Sequence, residues 1–149
     1  MIDLSACRAR ARTIATELEP GAGAGFLAVS DWSSATDAIM NGDAPTPALY
    51  VSLSREQPDK NRMTSGGRAQ RVRSTVSLLF CLAAERASGE RADPIEIARG
   101  ALIDSFVGYS PPGAVAAFDY AGYSIRQEDD GLVWGEVLVS TSWDLRKAT

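Results

Sequence analysis

RVRSTVSLLFCLAAE, from Arg71 to Glu85, changes character along its length. Val72, Val76, Leu78, Phe80 and Leu82 share one side of an extended chain, and Arg71, Arg73, Thr75 and Ser77 share the other, because successive side chains of a strand point to opposite faces. From Leu79 and Cys81 onward the second side turns apolar as well. A strand solvated on one face at its start and buried on both at its end belongs in the middle of a sheet that carries helices. The rest of the chain is read around it.

Upstream, ALYVSLS, from Ala48 to Ser54, alternates in the same way, with Leu49, Val51 and Leu53 on one face and Tyr50, Ser52 and Ser54 on the other. Between these strands lies QPDKNRMTSGGRAQ, Gln57 to Gln70, whose one large apolar residue is Met63. Neighbouring strands are usually joined by about 2 to 5 residues, and longer structureless connections tend to be functional or disordered. A protruding loop over 55–71 is therefore expected. Further upstream, FLAVS from Phe26 reads as a short strand. SSATDAIMNGD reads as a helix entered at Ser33 or Ser34 and stopped at Asn41-Gly42. Leu4, Cys7, Ala11, Ile14 and Leu18 recur at spacings of three and four, which predicts a first helix over Asp3–Leu18. The run GAGAG that follows leads straight into FLAV. A phosphate cradle would need a helix N-terminus there, so this run is a connection.

Downstream, ASGERAD is a turn. DPIE then offers Asp93 as N-cap, Pro94 at the first helical position and Glu96 reaching back. Ile95, Ala98, Leu102 and Phe106 form the buried stripe of this helix, which ends at Gly108. AVAAFDYAGYSIRQ and LVWGEVLVSTSWDL flank EDDG, whose Asp130-Gly131 step signals a hairpin. On the second arm Val133, Val137, Val139 and Trp143 share a face. The order of elements predicts one α+β domain over 1–149. Its sheet is mostly antiparallel, of four to five strands, flanked by two to three helices, with the long connecting loop.

A chain of 149 residues, 45% apolar and 23% charged, buries a core in one domain without metals or disulfides. Cys7 and Cys81 match no metal or redox spacing and read as buried free thiols. Arginines from Arg8 onward interrupt any apolar core of a signal peptide, and no stretch approaches the roughly 20 apolar residues of a membrane span. A soluble cytoplasmic product without a membrane partner is expected. The net charge of −4 argues against binding nucleic acid by bulk charge. Sign is nonetheless segregated. Arg8, Arg10 and Arg12 crowd the N-terminus, Lys60, Arg62, Arg68, Arg71 and Arg73 crowd the long loop and its exit, and Glu128, Asp129 and Asp130 gather at the hairpin turn. Such segregation suits a surface that mates with a copy of itself or with a neighbour.

The chain contains no histidine. The commonest general base, the Ser-His and Cys-His nucleophile pairs and most catalytic zinc sites are thereby removed. Asp129 and Asp130 sit at a solvated tip where no elevated pKa is expected, and Lys60 and Lys147 lie in polar surroundings. No catalytic residue, metal ligand or cofactor is assigned, and the chain is read as a non-enzyme. No aromatic residues interleave with the arginines of the loop to stack bases. Arginine suits planar pairing with carboxylates between subunits equally well, so an interface is the favoured use of the cluster.

The C-terminal half resembles the tail terminator, or tail completion, proteins of long-tailed bacteriophages. That likeness rests on Val107, Gly108, Tyr109, Ser110 and Pro111 after the helix, with tyrosine where the family usually has tryptophan, and on Asp130, Gly131 and Trp134 before the last strand. It spans roughly Ala48 to Lys147. The resemblance implies a six-membered ring in the virion tail, assembled in the host cytoplasm, that caps the tail tube, ends its polymerisation and meets a neck or head-tail connector protein. It also implies a sheet against a central channel, through which genomic DNA passes without specific binding. In such a ring the loop becomes an arm reaching over the next subunit or onto the tube. Its contact residues would be Asp59, Lys60, Arg62, Met63, Arg68, Arg71 and Arg73, with Glu128, Asp129 and Asp130 as a second interface turn. The alternatives are another ring of the neck or tube, such as a head-tail joining protein or tube subunit, and a small ligand-binding module with a pocket of Tyr50, Trp134 and Trp143.

Overall fold

The alternating stretch around Val72–Leu82 lies at the centre of the sheet. In the computed structural model, residues 1–42, 44–63, 66–83, 93–129 and 131–147 are described, with backbone alone for 127–129. The strands are β1 (Ala28–Ser30), β2 (Ala48–Pro58), β3 (Arg68–Ala83), β4 (Asp119–Asp129) and β5 (Leu132–Lys147). They form one five-stranded sheet in the order β1-β2-β3-β5-β4. Every pairing is antiparallel except the short parallel one between β1 and β2. With α1 (Leu4–Ala11), α2 (Trp32–Asn41) and α3 (Pro94–Phe106), this is the expected α+β fold.

Period-two alternation assigns each face. Val72, Val76, Leu78, Phe80 and Leu82 of β3 join Leu49 and Val51 of β2 and Val137, Val139 and Trp143 of β5 beneath α1 and α3. Those helices contribute Cys7, Ala11, Ala98, Leu102 and Phe106. Each large side chain fully buried here contributes roughly 1.5–3 kcal/mol relative to exposure. On the other face a smaller cluster joins Tyr50, Leu79, Cys81 and Trp134 to Ala35 and Ala38 of α2. There the Tyr50 and Trp134 rings stack at 5.7 Å. α2 covers one end of this face, and Arg55, Arg71 and Arg73 at the other end stay exposed.

Three expectations change. The first helix stops at Ala11 rather than Leu18, because the chain turns back on itself. Thr13 Oγ1 donates to the Arg10 carbonyl, Gly25 N donates to the Thr16 carbonyl, and Glu17 bridges to Ala24. Gly25, at φ 70°, lies so close to the Ile14 carbonyl that a Cβ would collide with it. The glycine run is thus needed for this close approach, while Leu18 is still buried. Second, α2 is capped by Asp31, not Ser33 or Ser34: the carboxylate accepts from Ser34 N at 3.1 Å. Gly42, at φ 63°, ends the helix. Third, Asp93 caps α3 as expected by accepting from Ile95 N, but the Glu96 carboxylate turns to Arg99 at 3.4 Å instead of reaching back. The expected ASGERAD turn falls largely on 84–92, outside the described residues.

Candidate assembly interface

Much of the stretch expected to loop out over 55–71 is strand. β2 and β3 stay paired to Pro58↔Val72, and β3 runs on beside β5 to Arg68↔Lys147. Only 59–67 separate the two strands, and the described residues among them are tied down. Asp59 N donates to the Arg71 carbonyl at 2.7 Å and Arg62 N to the Ala69 carbonyl at 2.9 Å. Asn61 organises the tip, its Oδ1 accepting from Met63 N and Ala69 N and its Nδ2 donating to the Gly67 carbonyl. Met63 folds over Gly67, where a Cβ would meet its Cε at 2.8 Å. The result is a three-stranded arm of β2, β3 and β5. From Ser54 to Met63 every residue but Asn61 is exposed.

The arm gathers charge. Arg55, Lys60, Arg62, Arg68, Arg71, Arg73, Arg146 and Lys147 face three acids, Glu56, Asp59 and Asp144, so the arm carries a formal +5. The whole chain is −4, which leaves −9 on the remainder. Lys60, Arg62, Arg68 and Arg73 are exposed, as are Asp59 and Met63. Arg71 is partly spent within the chain: its Nε donates to Asp144 Oδ1 at 3.0 Å and its Nη2 to Oδ2 at 3.4 Å. That hydrogen bond raises the Arg71 pKa and lowers that of Asp144. Arg146 and Lys147 join the cluster through register alone, since Ala69 faces Arg146 and Arg68 faces Lys147. Sequence reading missed them; the length of the last alternating run was the one signal that pointed to such pairing.

The N-terminal arginines serve the fold. Arg8 donates to the Val51 carbonyl at 3.1 Å, Arg12 to the Val29 carbonyl at 3.3 Å, and Arg10 to the Ser105 carbonyl at 2.6 Å while lying over the Tyr109 ring. Charged donors here close carbonyls within β1 and β2 and in the last turn of α3. At the second expected turn, Asp130 lies outside the described residues. Glu128 and Asp129 are seen as backbone at the end of β4, paired with Val133 and Leu132. The aromatic trio does not form a pocket. Tyr50 and Trp134 stack on the α2 side, whereas Trp143 sits on the opposite face and donates to Ser74 Oγ at 2.9 Å.

Little in this arrangement is chemically activated. Cys7 and Cys81 are buried, and burial pushes their thiols up to about 11 and about 12. Glu136, 7% exposed, accepts from Ser77 Oγ at 2.6 Å and pairs with Arg126 at 3.2 Å, so its carboxylate is committed. No group of His, Cys, Asp and Glu suited to a metal occurs among the described residues. Among the described residues no helix is long and apolar enough to cross a membrane.

The family described as phage tail terminator protein matches residues 26–148. The chain belongs to the phage tail terminator family. The match begins upstream of Ala48, taking in β1 and α2 as well as the C-terminal half. The family is structural, so the chain is a component of the virion tail that works through contact with other tail proteins. Comparison with curated proteins gives no match.

Proposed function

We propose that the chain assembles, in the host cytoplasm, into a ring that closes the finished tail tube, ends its polymerisation and presents its far side to a neck or head-tail connector protein. By resemblance to its family the ring is a hexamer, and genomic DNA passes through its channel without specific binding. The observation that carries this reading is the arm: an exposed extension of the sheet at +5 on a molecule of −4. Such an element docks by charge and shape. Complementary charge fixes orientation and speeds encounter more than it adds raw affinity. A ring that offers the tube one face and lacks a copy of the tube's docking surface on the other admits no further tube subunit.

The test adds purified protein to polymerising tube subunits and measures tube lengths by electron microscopy. Growth should stop, with one ring at the capped end. Unlimited polymerisation of the chain by itself would instead make it a tube subunit. Tubes whose lengths are unaffected would sink the capping role.

A further inference from the structure

Exposed large apolar side chains sort onto two opposite edges of this molecule. On the β1 side these are Leu27, Trp32, Ile39, Met40 and, past the end of β1, Leu53. α2 is the main source. Ala35 and Ala38 face the sheet, while Trp32, Ile39 and Met40 form an adjoining stripe at helical spacing that the chain's own core leaves uncovered, Met40 being 79% exposed. The other edge carries Tyr120 and Ile125 on β4, the latter 47% exposed, with Val107 and Val115 in the segment leading into β4. Val115 N donates to the Ser142 carbonyl, which seats it beside β5 in line with β4. Among the described residues, Met1 and Met63 are the remaining exposed large hydrophobics. Scattered apolar residues need no explanation, but clustered ones mark contact surfaces.

We infer that these edges are the two halves of one head-to-tail contact between copies of the chain, Trp32, Ile39 and Met40 of one copy packing on Val115, Tyr120 and Ile125 of the next. The inference rests on the ring reading above and says which surfaces close the ring. A two-fold pair would match one patch with itself and leave the other bare. A head-to-tail contact covers both, and each added copy offers a fresh patch until the ring closes. The joint is made by side chains, because neither edge presents a long regular strand for addition, β1 having only three residues. Arg12 and Arg8 occupy the carbonyls of Val29 and Val51, and β4 is broken by bulges between Tyr120 and Gly122 and between Ile125 and Gln127. The arm lies at the opposite end of the strands from α2. It is left to meet a different surface, that of the tail tube.

The test uses two double variants of the full chain. Trp32→Asp with Met40→Asp spoils one edge, and Val115→Asp with Ile125→Asp spoils the other. Light scattering should give ring mass for the unaltered chain and single-subunit mass for each variant. An equimolar mixture of the two should give a heterodimer, since one intact edge of each kind remains. Rings from either variant, or a mixture that stays at subunit mass, overturn the inference while leaving the ring reading in place. An unaltered chain that stays single both in solution and on tail tubes overturns the ring reading itself. Circular dichroism checks folding; if an aspartate pair unfolds the chain, Met40→Ala and Ile125→Ala should lower the dilution stability of the ring, and unchanged stability would count against the contact.

Discussion

Gly135 faces Phe80 across β5 and β3, and a Cβ there would drive into the phenyl ring. The glycine makes room for a fully buried aromatic in the main core. Gly135→Ala should therefore destabilise the subunit by about 1–3 kcal/mol, as overpacking of a tight core does; urea denaturation followed by tryptophan fluorescence measures it. Three carboxylates link stability to pH. Asp3 is lowered chiefly by its hydrogen bond from Ser5, Asp31 by the Ser34 backbone N–H, and Asp144 by Arg71. Because each folded-state value lies below the ordinary one, the unfolded chain takes up protons first as pH falls. Their stabilisation is complete above roughly pH 4 and is lost as pH drops through the folded values. Urea midpoints should fall on acidification below that point, and combined Asp31→Asn and Asp144→Asn changes should flatten the fall. An equally steep fall in that variant would count against these groups.

At the scale of elements, the arm is a continuation of the sheet more than a loop laid on it. Past a bulge between Leu53 and Arg55 its strands stay paired as far as Pro58↔Val72 and Arg68↔Lys147, and the core residues Val72 and Trp143 lie within it, short of the tip. Cutting it back should therefore spare the fold. Replacing 60–70 with Asn-Gly, a turn suited to two flanking antiparallel strands, removes Lys60, Arg62 and Arg68 and keeps the Pro58↔Val72 pairing. We expect a folded chain of unchanged ring mass that no longer caps tubes. Retained capping in the tube-length assay would dismiss the arm as the docking element.

At the scale of the whole molecule, +5 at one end and −9 elsewhere make a strongly polarised subunit. Exposed charges act over about 10 Å at 0.1 M salt, so encounter with an oppositely charged surface should slow as salt rises. Capping by the unaltered chain should weaken across a salt series, and reversing Arg71 and Arg73 to glutamate should weaken it at every salt concentration without unfolding the subunit. Arg73 is the cleaner of the two, because reversing Arg71 also breaks its pair with Asp144. Capping that is indifferent both to salt and to the reversals would show that charge plays no part.

Local pattern was enough to place the sheet and its faces. The period-two runs at Leu49–Leu53, Val72–Leu82 and Val133–Trp143 fix which side of each strand faces the core, because a misassigned face would turn its apolar side to water, and the Asp93-Pro94 cap marks the start of α3. Pattern was blind to three features. Helix α1 ends early because Gly25 must approach the Ile14 carbonyl, a contact between residues far apart in local structure. Strand β2 extends through polar residues because β3 supplies the partner for its hydrogen bonds. Arg146 and Lys147 reach the basic arm through the pairing of β5 with β3, which brings residues more than seventy positions apart into contact. Side-chain alternation records which way a residue faces, whereas charge clusters and chain reversals depend on what lies alongside, and that neighbour is set when the sheet assembles.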